Sequence, residues 1–337
     1  MKRKSNLTRR KALRASLLAG AAVLGLTSLA QAQNYPERPV NVVIPFDTGG
    51  YNDRLARAFA PCLEKELGQP VVIVNKPGAG TMLGNRYFLQ QPDDGYTIMA
   101  TSAAPYIPLT ILLQNAPYKA DDFHMINLPS RDFTLVATSA EKNIQSMEQV
   151  LEQLKKDPTS LSIGVQPASA DFVNLALLMD AAGIDRSKLR IVTYSGGGPA
   201  RNATAGGHVD VGFVGGEGFL PIKEKIKPLL VFSDEKTEEF PSAPNVVEFG
   251  KKQGFQGEFV EGSQRGWAVH SSFKEKHADR YQKLASAIER ASKDQECVAK
   301  LQAQQLATRW YGPEASNKAY RSNFEAMEKQ KELLKPQ

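Results

Sequence analysis

The chain has 337 residues, 42% of them hydrophobic, with 42 Lys+Arg against 36 Asp+Glu and two cysteines. It is too apolar and too mixed in charge for a disordered chain, and too poor in cysteine for a disulfide-built miniprotein; its length suits two domains. The formal charge of +6 invites a nucleic-acid reading, which the distribution of charge rejects.

Residues 1–32 carry seven cations and no acid, which leaves 35 cations against 36 acids in the rest, a net of −1. This segment has a basic start, an apolar run over 15–30 and the small-residue ending Ala30-Gln31-Ala32, the plan of a cleaved secretory signal. The apolar run is shorter than the roughly 20 residues a membrane-crossing helix needs. Thr8-Arg9-Arg10-Lys11 resembles a twin-arginine signal, but Ala12 stands where a bulky apolar residue is preferred, so Sec export stays open. Either route delivers a periplasmic protein of near-zero charge and makes nucleic acid an improbable partner. Cys62 and Cys297 could pair in that oxidising compartment, but connectivity cannot be read from spacing alone, and two buried, unpaired thiols are the expectation.

The β-branched run 40–44 predicts a buried strand, followed by a glycine turn and a helix that Asn52 or Asp53 caps. Leu55, Phe59, Cys62 and Leu63 share one face of that helix, and Gly68 ends it. A strand over 71–74, a helix to about residue 90 and a strand over 96–101 complete a βαβαβ unit. Pro105, Pro108 and Pro117 mark an irregular stretch, and 134–138 reads as a crossing strand. The same order of elements recurs: strand 161–165, helix 168–182, strand 189–194, a short helix opened by Ser195-Gly196-Gly197-Gly198-Pro199, and strand 209–214. Strands 229–232 and 266–269 then read as returning to the first lobe, ahead of helices over about 277–292, 294–306 and 314–333. The expected plan is two doubly wound α/β lobes, 33–130 with 233–337 and 131–232, joined by hinge strands around a central cleft.

In parallel sheets ligands bind beyond the carboxyl ends of the strands. Six loops fall there: 46–51, 76–81, 101–104, 166–169, 195–198 and 215–218, most of them rich in Gly, Ser, Thr and Ala. Without bulky side chains, backbone N–H groups and helix N-termini can approach a small anion. Any single glycine turn could serve tight turning alone; six at corresponding ends favour a site. Gly78 to Gly84 comes near a dinucleotide fingerprint, but its spacing is one residue too long and the next strand lacks the ribose-binding acid. The four histidines show no metal-ligand spacing, and there is no Gly-x-Ser-x-Gly elbow. No metal, cofactor or catalytic role is expected.

Specific runs carry a resemblance. Tyr35-Pro36-x-x-Pro39, Pro45-Phe46-x-x-Gly49-Gly50-x-x-Asp53, Gly68-Gln69-Pro70-Val71-Val72, Asn75 to Gly80 and Pro92-x-Asp94-Gly95-Tyr96-Thr97 stand in the first half. Tyr194-x-Gly196-Gly197-x-Pro199-Ala200, Gly206-Gly207-x-Val209-Asp210 and Gly266-Trp267-Ala268 follow. The chain is similar to the periplasmic receptors of tripartite tricarboxylate transporters, the Bug receptors. The resemblance implies a type II periplasmic-binding-protein fold, a monomer that closes on a small organic carboxylate held largely by loop backbone. It also implies delivery to one large and one small membrane subunit; some relatives of this kind feed signalling proteins instead.

By position, Phe46, Asp47, Thr48, Gly49, Gly50, Tyr51, Gly80, Thr81, Thr101 and Ser102 would line the first lobe. Ser169, Ala170, Gly197 and Gly198 would line the second. Departures from the family pattern bear on the ligand. Asp47, Asp171 and Glu217 are acids near the expected mouth, and Arg265 is a cation that could pair with one of them or with the ligand. Acids there would repel a second carboxylate and favour an amine or hydroxyl, so a monocarboxylate with a donor group is expected ahead of citrate. A secreted hydrolase using Ser102 or Ser169 is the remaining, weaker alternative.

Overall fold

The computed structural model describes residues 35–334 apart from Ala168 and Ser195; the expected leader and its cleavage site lie outside the described residues. The first lobe opens with β1 (Val40–Ile44), α1 (Tyr51–Leu67), β2 (Val71–Asn75), α2 (Met82–Leu89), β3 (Thr97–Ala104), α3 (Tyr106–Gln114) and β4 (Phe123–Arg131). The second contains β5 (Thr134–Ser139), α4 (Met147–Lys156), β6 (Ser162–Val165), α5 (Ala170–Ala181), β7 (Arg190–Thr193) and α6 (Gly197–Ala205). It continues through β8 (Val211–Gly215), β9 (Ile226–Val231) and α7 (Val246–Gln253). The chain then returns through β10 (Gln264–His270), α8 (Ser271–Lys276), α9 (Ala278–Lys293), α10 (Gln295–Ala303), α11 (Gly312–Lys329) and α12 (Lys331–Leu334).

Each lobe is a five-stranded sheet, ordered β2-β1-β3-β10-β4 in the first and β7-β6-β8-β5-β9 in the second. Three strands of each run parallel, and the strand entered from the other lobe, β10 or β5, runs antiparallel to both its neighbours. That inversion matters for the site. The first residues of β10 and β5 lie at the same sheet edge as the last residues of the parallel strands, so Arg265 sits beside Ser102 and Ser130, and Thr134 beside Gly215.

Alternation along the strands fills both faces of each sheet. Val40, Val42 and Ile44 bury against Phe59 and Leu63 of α1 and Leu284 and Ile288 of α9, while Val43 joins Phe88, Met99 and Met125 on the other side. Burial of such side chains contributes about 1.5–3 kcal/mol each. In the second lobe Val136, Ile163 and Phe213 face one layer of helices, and Leu135, Ala137 and Val214 face the other. A smaller apolar cluster spans the lobes: Leu109 of α3 and Met327 of α11 meet Val173 of α5 and Val260.

Three expectations need correction. The proline-rich stretch contains α3 and β4, because Pro105 precedes α3 and Pro108 lies in its first turn, where no backbone N–H is needed. Pro129 is tolerated because β4 is an edge strand. The segment 229–232 does not return to the first lobe; β9 pairs with β5. Beyond it Val246 and Phe249 of α7 bury among Val136, Ile163 and Leu230, so the chain leaves the second lobe near Phe259 rather than at residue 232. Finally, Cys62 on α1 and Cys297 on α10 form a disulfide, with Cα atoms 6.0 Å apart, where unpaired thiols were expected. The signal absent from the sequence was the packing of α10 on α1, which Asp294 also fixes by capping α10 and meeting Lys65. With the cysteines 235 positions apart in the chain, replacing both by serine is expected to cost about 2–4 kcal/mol in denaturant unfolding. Ligand affinity should be retained, because the bridge lies in the first lobe's helical layer.

Candidate functional site

The two carboxyl edges face one another across a chamber of about 330 Å³ between the lobes. Three helices begin at its wall: α1 from the first lobe, α5 and α6 from the second. α5 is capped in the ordinary way, with Ser169 Oγ accepting from Phe172 N. The other two are not. Gly50 and Gly196 occupy the N-cap positions of α1 and α6 and offer no side-chain acceptor, so the first-turn N–H groups of Tyr51, Gly197 and Gly198 are left to a ligand. A Cβ on Gly198 would meet nothing within 4 Å, which places that glycine against open space.

Two arginines supply charge. Arg265 donates to Asp132 Oδ2, Glu217 Oε2 and Ser130 Oγ at 3.0 Å each, and its guanidinium lies 4.7 Å from the centre of the Tyr51 ring. Burial opposes its charge, but the two carboxylates outweigh that and raise its pKa above the usual arginine value. Asp132 also accepts from the backbone N–H groups of Phe133 and Glu217, and its own N–H donates to Ser263. One carboxylate therefore ties together both chain crossings. Arg201, one turn into α6, is different: among the described residues it has no carboxylate partner within ion-pair distance. Burial lowers its pKa from the normal arginine value, partly offset by the fields of Asp132 and Asp171. Its side chain lies back over Gly197, where a Cβ would come within 2.9 Å of Nη1, and against Gly218, where a Cβ would overlap the guanidinium.

Asp171 faces the same chamber from the first turn of α5 and accepts a 2.6 Å bond from Thr134 Oγ1. Burial pushes its pKa up to about 7, with Asp132 adding to the rise and the Thr134 bond opposing it. Burial also raises Glu217. The remaining wall is polar or aromatic. Asn52 donates to Ser102 Oγ at 3.0 Å and leaves its own Oδ1 buried without a partner. Tyr106 packs edge-on against Phe46 and accepts from Gln166 Nε2 at 3.3 Å, a hydrogen bond between the lobes.

Of the residues expected to bind ligand, Phe46, Gly50, Tyr51, Ser102, Ser169, Ala170, Gly197, Gly198 and Arg265 line this chamber. Gly49 and Glu217 line a second, outer one of about 850 Å³ that shares Gly50, Tyr51, Asp132, Gly198, Arg201 and Arg265 with it. Asp47 and Thr48 are exposed and line neither chamber. Thr101 is buried beneath the strand edge, and Gly80 and Thr81 belong to a 3₁₀ turn beside Gln114 of α3. Asp47 does not line the chamber and Glu217 is tied to Arg265, so of the three acids only Asp171 faces the chamber without a cationic partner among the described residues. Ser169 Oγ is committed to Gln166 O and Phe172 N, and none of the four histidines lines the chamber. A serine–histidine pair is therefore not assembled at the chamber among the described residues.

Asn52, Pro105, Tyr106, Asp132, Arg201 and Ser263 line the chamber from outside the six loops and were not expected there. Arg201 had a legible signal: a cation four residues after a glycine at a helix start projects back over that start.

Fold and site together define a two-lobed solute-binding protein with an anion-ready interior. Residues 55–335 match the family described as "Tripartite tricarboxylate transporter family receptor", and the chain belongs to it, as a receptor of the Bug kind. A protein of the gbd 5′ region of Cupriavidus necator is 32% identical over 245 residues, 70% of this chain and 73% of that one. Protein BugT of Bordetella pertussis is 28% identical over 236 residues, 68% and 71% of the two chains. Among solved structures, periplasmic binding protein BugD superposes with a TM-score of 0.63 at 25% identity, covering 89% of this chain and 98% of its own. MatC of Rhodopseudomonas palustris, solved with bound malate, gives 0.67 at 22% identity over 89% and 100% of the chains.

Proposed function

We propose that the chain is a periplasmic receptor that closes its lobes on a small organic acid and passes it to a large and a small membrane subunit. In this reading it is exported by a cleaved leader, acts as a monomer and catalyses nothing. The observation that carries it is the convergence of two uncapped helix N-termini, one from each lobe, with the unpaired Arg201 on one chamber. One carboxylate of the ligand accepts from Arg201 and from the Tyr51, Gly197 and Gly198 amides; a hydroxyl or ammonium group beside it meets Asp171. The malate seen in MatC and the adipate in another R. palustris protein of this fold support an organic acid as the ligand class. Calorimetric titration with a panel of monocarboxylates, hydroxy acids, amino acids and citrate tests it. Micromolar binding of at least one acid is expected, and a panel in which no acid binds would sink the proposal.

Asp171 makes the apo protein sensitive to pH. The groups facing it are Thr134, Asp132, Arg201 and Arg265. Because its folded pKa lies above the ordinary 3.8, at about 7, the native state holds its proton longer than the unfolded chain. Its contribution is intact below 3.8, declines as pH rises toward 7 and is level above that. Asp171→Asn should therefore gain stability relative to the parent across that window, measured by thermal melts without ligand; parallel curves would exclude the effect.

A further inference from the structure

A hydrogen-bond chain runs from the inner chamber to both crossings between the lobes. Its links are Thr134, which opens β5, and Asn174 of α5, both fully buried. Asn174 Oδ1 accepts from the backbone N–H of Val260 at 2.8 Å, in the segment that leads into β10. Its Nδ2 donates to Val260 O at 2.9 Å and to Thr134 Oγ1 at 2.8 Å. Thr134 Oγ1 in turn donates to Asp171 Oδ1 in the chamber.

The direction of every bond in this chain is forced. A backbone N–H only donates and a carbonyl only accepts, so Val260 fixes which end of the Asn174 amide is oxygen. Both amide protons are then spent, one on Val260 and one on Thr134, and Thr134 is an acceptor on that side. The single proton of its hydroxyl goes to Asp171 Oδ1, which is therefore a fixed acceptor. Among the described residues Asp171 Oδ2 has no hydrogen-bond partner, so a proton carried by this group sits on Oδ2.

Charge around the chamber decides whether that proton is present. The charged groups facing Asp171 are Asp132, between β4 and β5, Arg201 on α6 and Arg265 on β10. Tyr51 and Tyr106 complete the ionisable side chains lining the inner chamber, and Glu217 is paired with Arg265. Because Arg265 is held by Asp132 and Glu217, Arg201 is the cation left to balance both an ionised Asp171 and an arriving carboxylate. One cation cannot neutralise two anions, and anions brought together away from water raise each other's proton affinity. In the empty protein burial already holds the Asp171 pKa at about 7, and a second anion beside it drives that value higher.

We propose that Asp171 binds the acid in its protonated form, donating Oδ2–H to an oxygen of the ligand, so that capture above neutral pH takes up one proton from solvent. Thr134 and Asn174 are the positioning residues that hold this polarity. The proposal rests on the receptor reading above and narrows it: the group that meets Asp171 is a hydroxyl or another oxygen acceptor, not an ammonium.

Calorimetry on the whole protein with malate, lactate and adipate, from about pH 7 to about pH 9 in buffers of different ionisation enthalpy, tests it. These acids are ionised over that range, so a proton taken up goes to the protein. Near the middle of the range, uptake should be on the order of one proton per acid bound. Affinity should fall at least about tenfold from the low end to the high end. Asp171→Asn keeps an acceptor for Thr134 and puts an N–H where Oδ2–H stood. It should take up no proton and bind at least about tenfold tighter than the parent at the high end. Thr134→Val removes a bond that favours the ionised carboxylate, so the loss of affinity should begin at higher pH, and Thr134→Ser should restore the parent profile. A merely structural Thr134 would change stability without moving that onset. Binding with no proton uptake overturns the proposal, as does an Asp171→Asn that binds more weakly than the parent at the high end; the receptor reading survives either result. If none of the three acids binds at any pH, both fall together.

Discussion

Arg201→Gln is expected to lower affinity for a bound organic acid by a hundredfold or more while leaving the empty protein no less stable. The two halves of that expectation have one cause. In the empty protein Arg201 is a largely buried cation with no carboxylate in ion-pair contact among the described residues, so its desolvation is offset only in part, by the fields of Asp132 and Asp171. Gln removes that cost. In the complex the same guanidinium, which has no carboxylate partner among the described residues, is free to meet the ligand, and losing a buried, charge-assisted bond costs about 2–5 kcal/mol. Each 1.4 kcal/mol is a factor of ten. A residue kept for packing would move both quantities in the same direction. Titration calorimetry and apo thermal melts on one variant separate the two cases, and unchanged affinity would remove Arg201 from the site.

Arg265→Ala is the second large effect, and it acts on the fold. Arg265 neutralises Asp132 and Glu217 where both chain crossings meet, and Asp132 is 5% exposed. Removing the cation leaves two carboxylates together with little water, a change that costs about 3–5 kcal/mol for a buried pair. The midpoint of thermal unfolding should fall by on the order of 10 °C. Combining Arg265→Met with Glu217→Gln should recover part of this, because one of the stranded charges is then gone. A loss below about 1 kcal/mol in Arg265→Ala would show that water reaches the cluster freely and that it does not fasten the crossings.

The parallel core of each lobe was legible because its signals are local. The run 40–44 and its glycine turn declare a buried strand feeding a helix, and Gly68 adopts the left-handed conformation that ends α1, with φ 66°. α4 carries a local signal too, with Ser146 as its cap and Met147, Val150, Leu151 and Leu154 on one face. What local signals could not give was pairing across the sheets. β9 and β10 look alike as short apolar runs, and only their partners, β5 in one case and β3 with β4 in the other, assign them to different lobes. The same holds for Cys62 and Cys297, whose meeting depends on how α10 packs on α1.

At the site, the glycine-opened helix starts were readable from sequence because the backbone itself is the functional group. The ion pairs were not. Asp132, Arg265 and Glu217 come from three separate segments, and whether Arg265 serves the ligand or the hinge is decided by a 3.0 Å contact between lobes. For Asp47 the sequence left the cleft and solvent open, and in the structure it is exposed and does not line the chamber.

Amide hydrogen exchange, followed with and without a bound organic acid, reaches the main point most directly. Slowed exchange is predicted at two separated places at once, the start of α1 at Tyr51–Asn52 and the start of α6 at Gly197–Gly198, with little change on the outer helices α9 and α10. Slowing confined to one lobe, or none at either helix start, would contradict capture of the acid between the two.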